Sequence, residues 1–240
     1  MNIYGSGISY NAIYTNLQLI QRMGGLFVDF DENGNLKANF KDNAGYAEFL
    51  QWFKDMTVSG DNPVESDTAS MFYAGQIGIM PDGAWISSGA ETNEINYGVA
   101  QLPYGAAGPM NPCSVSGFSI TKYASEEAKL AAMRFIEWWH NGYEDTETTG
   151  SLTWSLRCGY PGYYLPTIND PRYQASEKLA MMTCTDNDAA TTYMAPDAFQ
   201  ATFQLASEVI EVMVEDVITG GMDITQALEK AQTNAEALLK

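Results

Sequence analysis

The stretch Phe72-Tyr-Ala-Gly-Gln-Ile-Gly-Ile-Met-Pro-Asp-Gly-Ala-Trp85 decides the fold. A short helix from Thr68 to Tyr73 stops at Gly75, Ile77 to Met80 has the apolar run of a buried strand, and Pro81-Asp82-Gly83 turns the chain. Trp85 is thereby left at the carboxyl end of the strand, where open α/β sheets hold their ligands. Further on, Asn96-Tyr-Gly-Val-Ala-Gln-Leu-Pro103 supplies a second buried strand, Tyr97 to Gln101, ended by Pro103.

The same local signals organise the rest. Tyr10 to Arg22 carries Ile13, Leu17 and Ile20 at helical spacing and is stopped by Gly24-Gly25. Leu26 to Phe30 and Leu36 to Phe40 are strand-like runs on either side of Asn33-Gly34, a hairpin signal. Asp42 is placed to cap a helix reaching about Met56, with Tyr46, Phe49, Leu50 and Phe53 on one face. After a Gly/Pro-rich connector from Gly105 to Pro112, Gly117 to Thr121 reads as a strand. Ser125 then caps a helix through His140 whose first-turn Glu126 and Glu127 suit the positive end of the helix dipole. Trp154 to Tyr164 leads back, Pro171 to Met182 is helical, and Pro196 opens a long helix to Ile218. Asp223 and Gln226 start the last helix in the manner of a capping box. Strands alternating with helices in this way imply an α/β layer.

Thirty acids against 12 bases leave a net charge of −18 with no basic cluster, so nucleic acid and anionic membranes are excluded as expected partners. No run approaches the ~18 apolar residues of a membrane-spanning helix. Cys113, Cys158 and Cys184 have no paired metal spacing, and an odd number leaves at least one thiol unpaired within the chain.

The Phe72 to Trp85 stretch, together with Gly117-Phe-Ser-Ile-Thr121, Tyr163-Tyr-Leu-Pro166 and Asp223-Ile-Thr-Gln-Ala-Leu-Glu-Lys-Ala231, resembles the extracytoplasmic solute-binding proteins of ABC importers, the family of maltose-binding and glycerol-phosphate-binding proteins. The resemblance implies a type II periplasmic-binding-protein-like α/β fold. On that plan, residues 1–112 and 167–240 form the second lobe, and 113–166 cross into the first. The family carries a further stretch ahead of Met1 that holds most of the first lobe, so the chain is expected to be a fragment. Cys113 and Cys158 flank the excursion and can meet; three buried thiols are the other reading. A periplasmic or lipid-anchored location and an ABC permease as partner follow from the resemblance alone.

Trp85 leads the candidate ligand residues, because sugar C–H faces stack on an indole while ring hydroxyls need polar groups beside it. Asp82 and Ser87 lie within a turn of it and can supply those groups. The alternative is that Trp85 is core. By resemblance, Gly117, with Ser116 before it, stands where the chain passes between lobes. Tyr164 matches the tyrosine of the glycerol-phosphate branch's Gly-Tyr-Leu-Pro motif, and Tyr163 replaces its glycine; a structural tyrosine is an equal reading. Phe199 and Phe203, one turn apart, can add aromatic wall or pack in the core. The glycerol-phosphate branch holds phosphate with an arginine near the late helix, yet Thr191 to Phe203 contains no base. A phosphate without a bidentate partner is poorly held. A neutral sugar or oligosaccharide is therefore favoured over a glycerol-3-phosphate-like ligand.

Asp29-x-Asp31-x-Asn33-Gly34 imitates a calcium loop, but position 12 is Phe40 and not the bidentate Glu. A hairpin is expected there, with no metal and no cofactor. His140 is the only histidine and no Gly-x-Ser-x-Gly elbow exists, so a glycoside-active enzyme with a carboxylate pair stays a minor alternative, as does a carbohydrate-adhesion module. The helix bearing Leu130, Met133, Phe135, Ile136, Trp138 and Trp139 is expected to lack part of its cover and to drive self-association of the chain.

Overall fold

The structure, a computed structural model, describes residues 2–25, 29–103, 105–108, 110–112, 117–142, 147–183, 191–193 and 204–239. In chain order these form β1 (Tyr4–Ser6), α1 (Ile13–Arg22), β2 (Asp29–Phe30), β3 (Leu36–Lys37), α2 (Ala44–Ser59), α3 (Thr68–Tyr73), β4 (Ile77–Ile79) and α4 (Ile86–Thr92). There follow β5 (Met110–Pro112), α5 (Glu126–Asn141), α6 (Gly150–Cys158), α7 (Leu165–Ile168), α8 (Pro171–Gln174), α9 (Glu177–Met182) and β6 (Thr191–Tyr193). Leu205–Ile210 is π-helical and runs into α10 (Glu211–Ile218), and α11 (Ile224–Leu238) closes the chain.

Two compact units share these elements. The first holds 1–83, 102–113 and 187–240; the second holds 84–101 and 114–186. The segments 84–101 and 167–186 thus group with the excursion rather than with 1–112. The contacts responsible are specific: Lys178 on α9 reaches Glu91 of α4 at 3.6 Å, and Leu179 packs with Leu152 and Tyr173.

In the first unit, β1 and β4 pair in parallel, Tyr4 with Ile77 and Ser6 with Ile79. Asn62 fastens the chain beyond β1, its Oδ1 accepting from the Ile8 amide at 2.7 Å and its Nδ2 donating to the Ile8 carbonyl at 2.9 Å. Amphipathic spacing explains the core: Leu17 and Ile20 of α1, Tyr46, Phe49, Leu50 and Phe53 of α2, Val209, Ile210, Met213, Val214 and Val217 of the late helix, and Ala227, Leu228 and Ala231 of α11 are all buried together. Gln232 of α11 ties in the segment after the hairpin, accepting from the Phe40 amide at 2.9 Å.

The Asn33-Gly34 hairpin is present, β2 against β3 with Asp29 opposite Lys37. The carboxylate of Asp31 accepts from the Asn35 side-chain amide at 3.0 Å and from the backbone amides of Asn35 and Asn33, both at 2.8 Å, and these bonds, the Asn35 side chain first, hold it below the ordinary carboxyl range. Other expectations shift. The cap of α2 is Asn43 rather than Asp42, accepting from the Gly45 amide at 2.9 Å, and the helix continues to Ser59. Pro171 to Met182 is broken into α8 and α9 by the Ser176 cap. Neither Tyr97–Gln101 nor Gly117–Thr121 is a strand, because a strand needs a partner and neither finds one among the described residues. Cys158 is a free, half-buried thiol; Cys113 and Cys184 lie outside the described residues. No helix among the described residues is long and apolar enough to cross a membrane.

Candidate functional site

β4 ends as the sequence implies. The Pro81 carbonyl accepts from the Thr15 hydroxyl at 3.3 Å, and Asp82 turns its own carboxylate onto the Gly83 amide at 2.7 Å. Asp82 thus belongs to the first unit and spends one oxygen on the turn.

Trp85, the second residue of the second unit, stands at the N-cap of α4 and is 46% exposed. Ser87 differs from it: the side chain is buried and faces the backbone of Gly159, the left-handed cap of α6 (φ +71°). A hydroxyl expected beside the ligand therefore serves as the seat for a close backbone approach, and Ser88 is the exposed one of the pair. The approach brings α4, with Trp85 at its start, to the loop 159–164 that carries Tyr163 and Tyr164.

The two tyrosines part company. Tyr164 donates its hydroxyl to Asn141 Oδ1 at 2.8 Å and lays its ring against His140, centroids 4.9 Å apart, so it ties the loop to the end of α5. Tyr163 is 58% exposed. The loop itself is held from beneath by Tyr173, fully buried, whose hydroxyl oxygen accepts from the Gly162 amide at 2.9 Å.

Gly117 is exposed with open space on its Cβ side. Phe118, next to it, makes edge contacts at 5.4 Å with both Phe135 and Trp139, and the contacts continue through Trp154 to Tyr160 at the start of the tyrosine loop. These rings run from one candidate residue toward the next. Sequence reasoning missed Trp154 and Tyr160, although aromatics bracketing the 159–162 turn were the available signal. Ser116 and Phe199 lie outside the described residues.

A cavity of about 140 Å³ opens by His140, Thr149, Leu152, Asp170 and Arg172. Its polar walls are largely engaged with one another. The Arg172 guanidinium is forked on Asp170, with Nε to Oδ1 and Nη2 to Oδ2 both 2.9 Å, and this pairing pushes the Asp170 carboxyl down. Thr149 caps α6 by accepting from the Leu152 amide at 3.1 Å. Two of the late lysines are similarly engaged. Lys178 lies 3.6 Å above the Tyr97 ring as well as beside Glu91, and Lys230 reaches Asp216 at 2.6 Å. Among the described residues no cluster of three or more His, Cys, Asp or Glu is arranged to hold a metal ion.

A family model described as bacterial extracellular solute-binding protein matches residues 15–154. A sequence comparison with curated proteins returned no match. Among solved structures, the chain is similar to the maltose/maltodextrin-binding domain MalE from Bdellovibrio bacteriovorus bound to maltotriose, with 15% identity, a TM-score of 0.75 and coverage of 98% of this chain and 60% of that one. It is also similar to UgpB from Mycobacterium tuberculosis in complex with glycerophosphocholine, with 20% identity, a TM-score of 0.76 and coverage of 100% and 59%. A third likeness is maltose-bound MalE3 of T. maritima, at 18% identity, a TM-score of 0.68 and coverage of 98% and 61%. The chain spans about 60% of the length of these structures. With more than half of its residues matched and its α/β fold of the type II periplasmic-binding-protein kind, the chain belongs to the bacterial extracellular solute-binding proteins.

Proposed function

We propose that this chain forms part of an ABC importer's solute-binding component and that its ligand is a neutral sugar or oligosaccharide. The observation that carries the reading is Trp85, a half-exposed indole at the end of the β4 turn, with the exposed Tyr163 in the same unit. Such rings stack on the C–H faces of sugars and lose little conformational entropy in doing so. The carbohydrate ligands of the two MalE structures and the absence of a base in 191–203 favour the same class. Binding is non-covalent, with no turnover: ligand enters, lobes close about the strand crossings, and the closed form docks on the permease outside the cytoplasm. The protein works in the periplasm or lipid-anchored on the outer face.

Titration calorimetry of the intact protein with maltose, maltotriose, tagatose and glycerol-3-phosphate tests the reading. A neutral sugar is expected to bind more tightly than glycerol-3-phosphate by at least tenfold, about 1.4 kcal/mol. Tighter binding of the phosphate, or release of a reducing end during titration, overturns it.

A further inference from the structure

The loop that presents Tyr163 is governed by a chain of hydrogen bonds whose direction can be read. Thr183 donates its hydroxyl proton to the Leu179 carbonyl at 2.7 Å. Its oxygen, in hydrogen-bond contact with the Tyr173 hydroxyl, is then the acceptor, and Tyr173 is the donor. That leaves the Tyr173 oxygen to accept from the Gly162 amide at 2.9 Å. The order is Gly162 N–H to Tyr173 O–H to Thr183 O–H to the Leu179 carbonyl. Every hydroxyl is donor and acceptor once, and such chains polarise one another in a buried setting. Tyr173 and Leu179 belong to the core of the second unit with Leu152 and Ile168.

We infer that Tyr173 is a positioning residue: through Thr183 and the Gly162 amide it sets the conformation of the 160–164 loop and hence the presentation of Tyr163 to a carbohydrate. This rests on the sugar-binding reading above. Three features of the loop support it. The anchored amide is one residue before the exposed Tyr163 and two before Tyr164, whose hydroxyl is already committed to Asn141. The loop's other end is fixed at Gly159 by its close approach to Ser87, the second residue of α4, whose N-cap is Trp85. A fully buried tyrosine whose hydroxyl is wholly used on a loop amide and a threonine is matched to that loop conformation, since a shifted loop leaves a buried hydroxyl one bond short.

The test uses Tyr173→Phe, which keeps the ring and removes the hydroxyl, in the intact protein, with maltotriose as the probe. The Gly162 and Tyr163 amides are expected to exchange at least tenfold faster, with the amides of α5 unchanged. Maltotriose affinity is expected to fall about five- to tenfold, the range for one lost hydrogen bond. Tyr163→Ala alone is expected to lower affinity too, and adding Tyr173→Phe to it should cost little more, because the hydroxyl acts through Tyr163. Thr183→Val should reproduce the Tyr173→Phe pattern and Thr183→Ser should restore it, which guards against a general loss of folding. Unchanged Gly162 exchange in Tyr173→Phe, or losses that add in the double variant, overturns the positioning role. If wild type does not bind maltotriose, or Tyr163→Ala binds it as well as wild type, the ligand half of the inference falls with the maltotriose reading, and the exchange rates still decide whether Tyr173 holds the loop.

Discussion

Ser87 and Gly159 meet so closely that a Cβ added at Gly159 would stand 2.6 Å from the Ser87 Cβ. The glycine also holds φ at +71°, which other L-residues adopt only at a cost. Gly159→Ala is therefore expected to destabilise the second unit by at least about 1–2 kcal/mol from the left-handed conformation alone, with the steric conflict added. Ser87→Gly in the same chain should return the steric part. Thermal melts of the single and double variants check this; a Gly159→Ala protein as stable as wild type refutes the close approach.

Trp85→Ala should leave the melting temperature nearly unchanged, since the ring is half-exposed, while weakening maltotriose binding by about 1–3 kcal/mol, the range for burying a large side chain. Calorimetry separates the two effects. Equal affinity in the variant removes Trp85 from the site.

Thermal melts in calcium and in chelator should superimpose. The Asp31 carboxylate that a calcium ion would claim is already accepting from the Asn33 and Asn35 amides and from the Asn35 side chain at 3.0 Å. Position 12 of the loop is Phe40, which is buried in the first unit's core. A marked upward shift in calcium contradicts the hairpin assignment.

Glu211, where the π-helical turn passes into α10, has its carboxyl pushed above the usual range by burial first and by the Glu215 charge second. A raised folded-state value means that the folded state takes up its proton more readily than the unfolded chain, so stability falls as pH rises from the ordinary carboxyl range through the folded value. Glu211→Gln should then raise the melting temperature at pH 7. The advantage should vanish below the ordinary carboxyl range, where both states of the wild type are protonated. An advantage that is constant with pH points to packing instead.

α5 has no fully buried residue, with Leu130 61%, Met133 55% and Phe135 46% exposed. Apolar surface of this extent on one helix favours association, so the 240-residue chain is expected to self-associate in light scattering as its concentration rises. Leu130→Glu with Met133→Glu should reduce the apparent mass. A monomer at all concentrations, unchanged by the substitutions, excludes this face as the contact.

Much of the first unit was legible in advance because its signals are local. Tyr46, Phe49, Leu50 and Phe53 mark the buried face of α2 by their spacing, Asp223 caps α11 by accepting from the Thr225 amide at 2.9 Å, and Asn33-Gly34 turns the hairpin. Trp85 too could be named from its place after an apolar run and a Pro-Asp-Gly turn. The strand expectations at 97–101 and 117–121 failed for a reason that local pattern does not contain: a strand exists only if another segment supplies its hydrogen bonds. Tyr97 takes the Lys178 ammonium over its ring, and Phe118 packs on Phe135 and Trp139. For the same reason β1 went unread, since three residues become a strand only beside β4, more than seventy positions away. The sequence by itself determined the helix faces, the caps at Ser125 and Asp223 and the turn that exposes an indole, because those depend on neighbours within a turn or two of the chain. Which serine is buried, which tyrosine is exposed and which buried hydroxyl holds its loop were decided only by the tertiary structure, because hydrogen bonds and close backbone contacts at those positions join residues far apart in sequence.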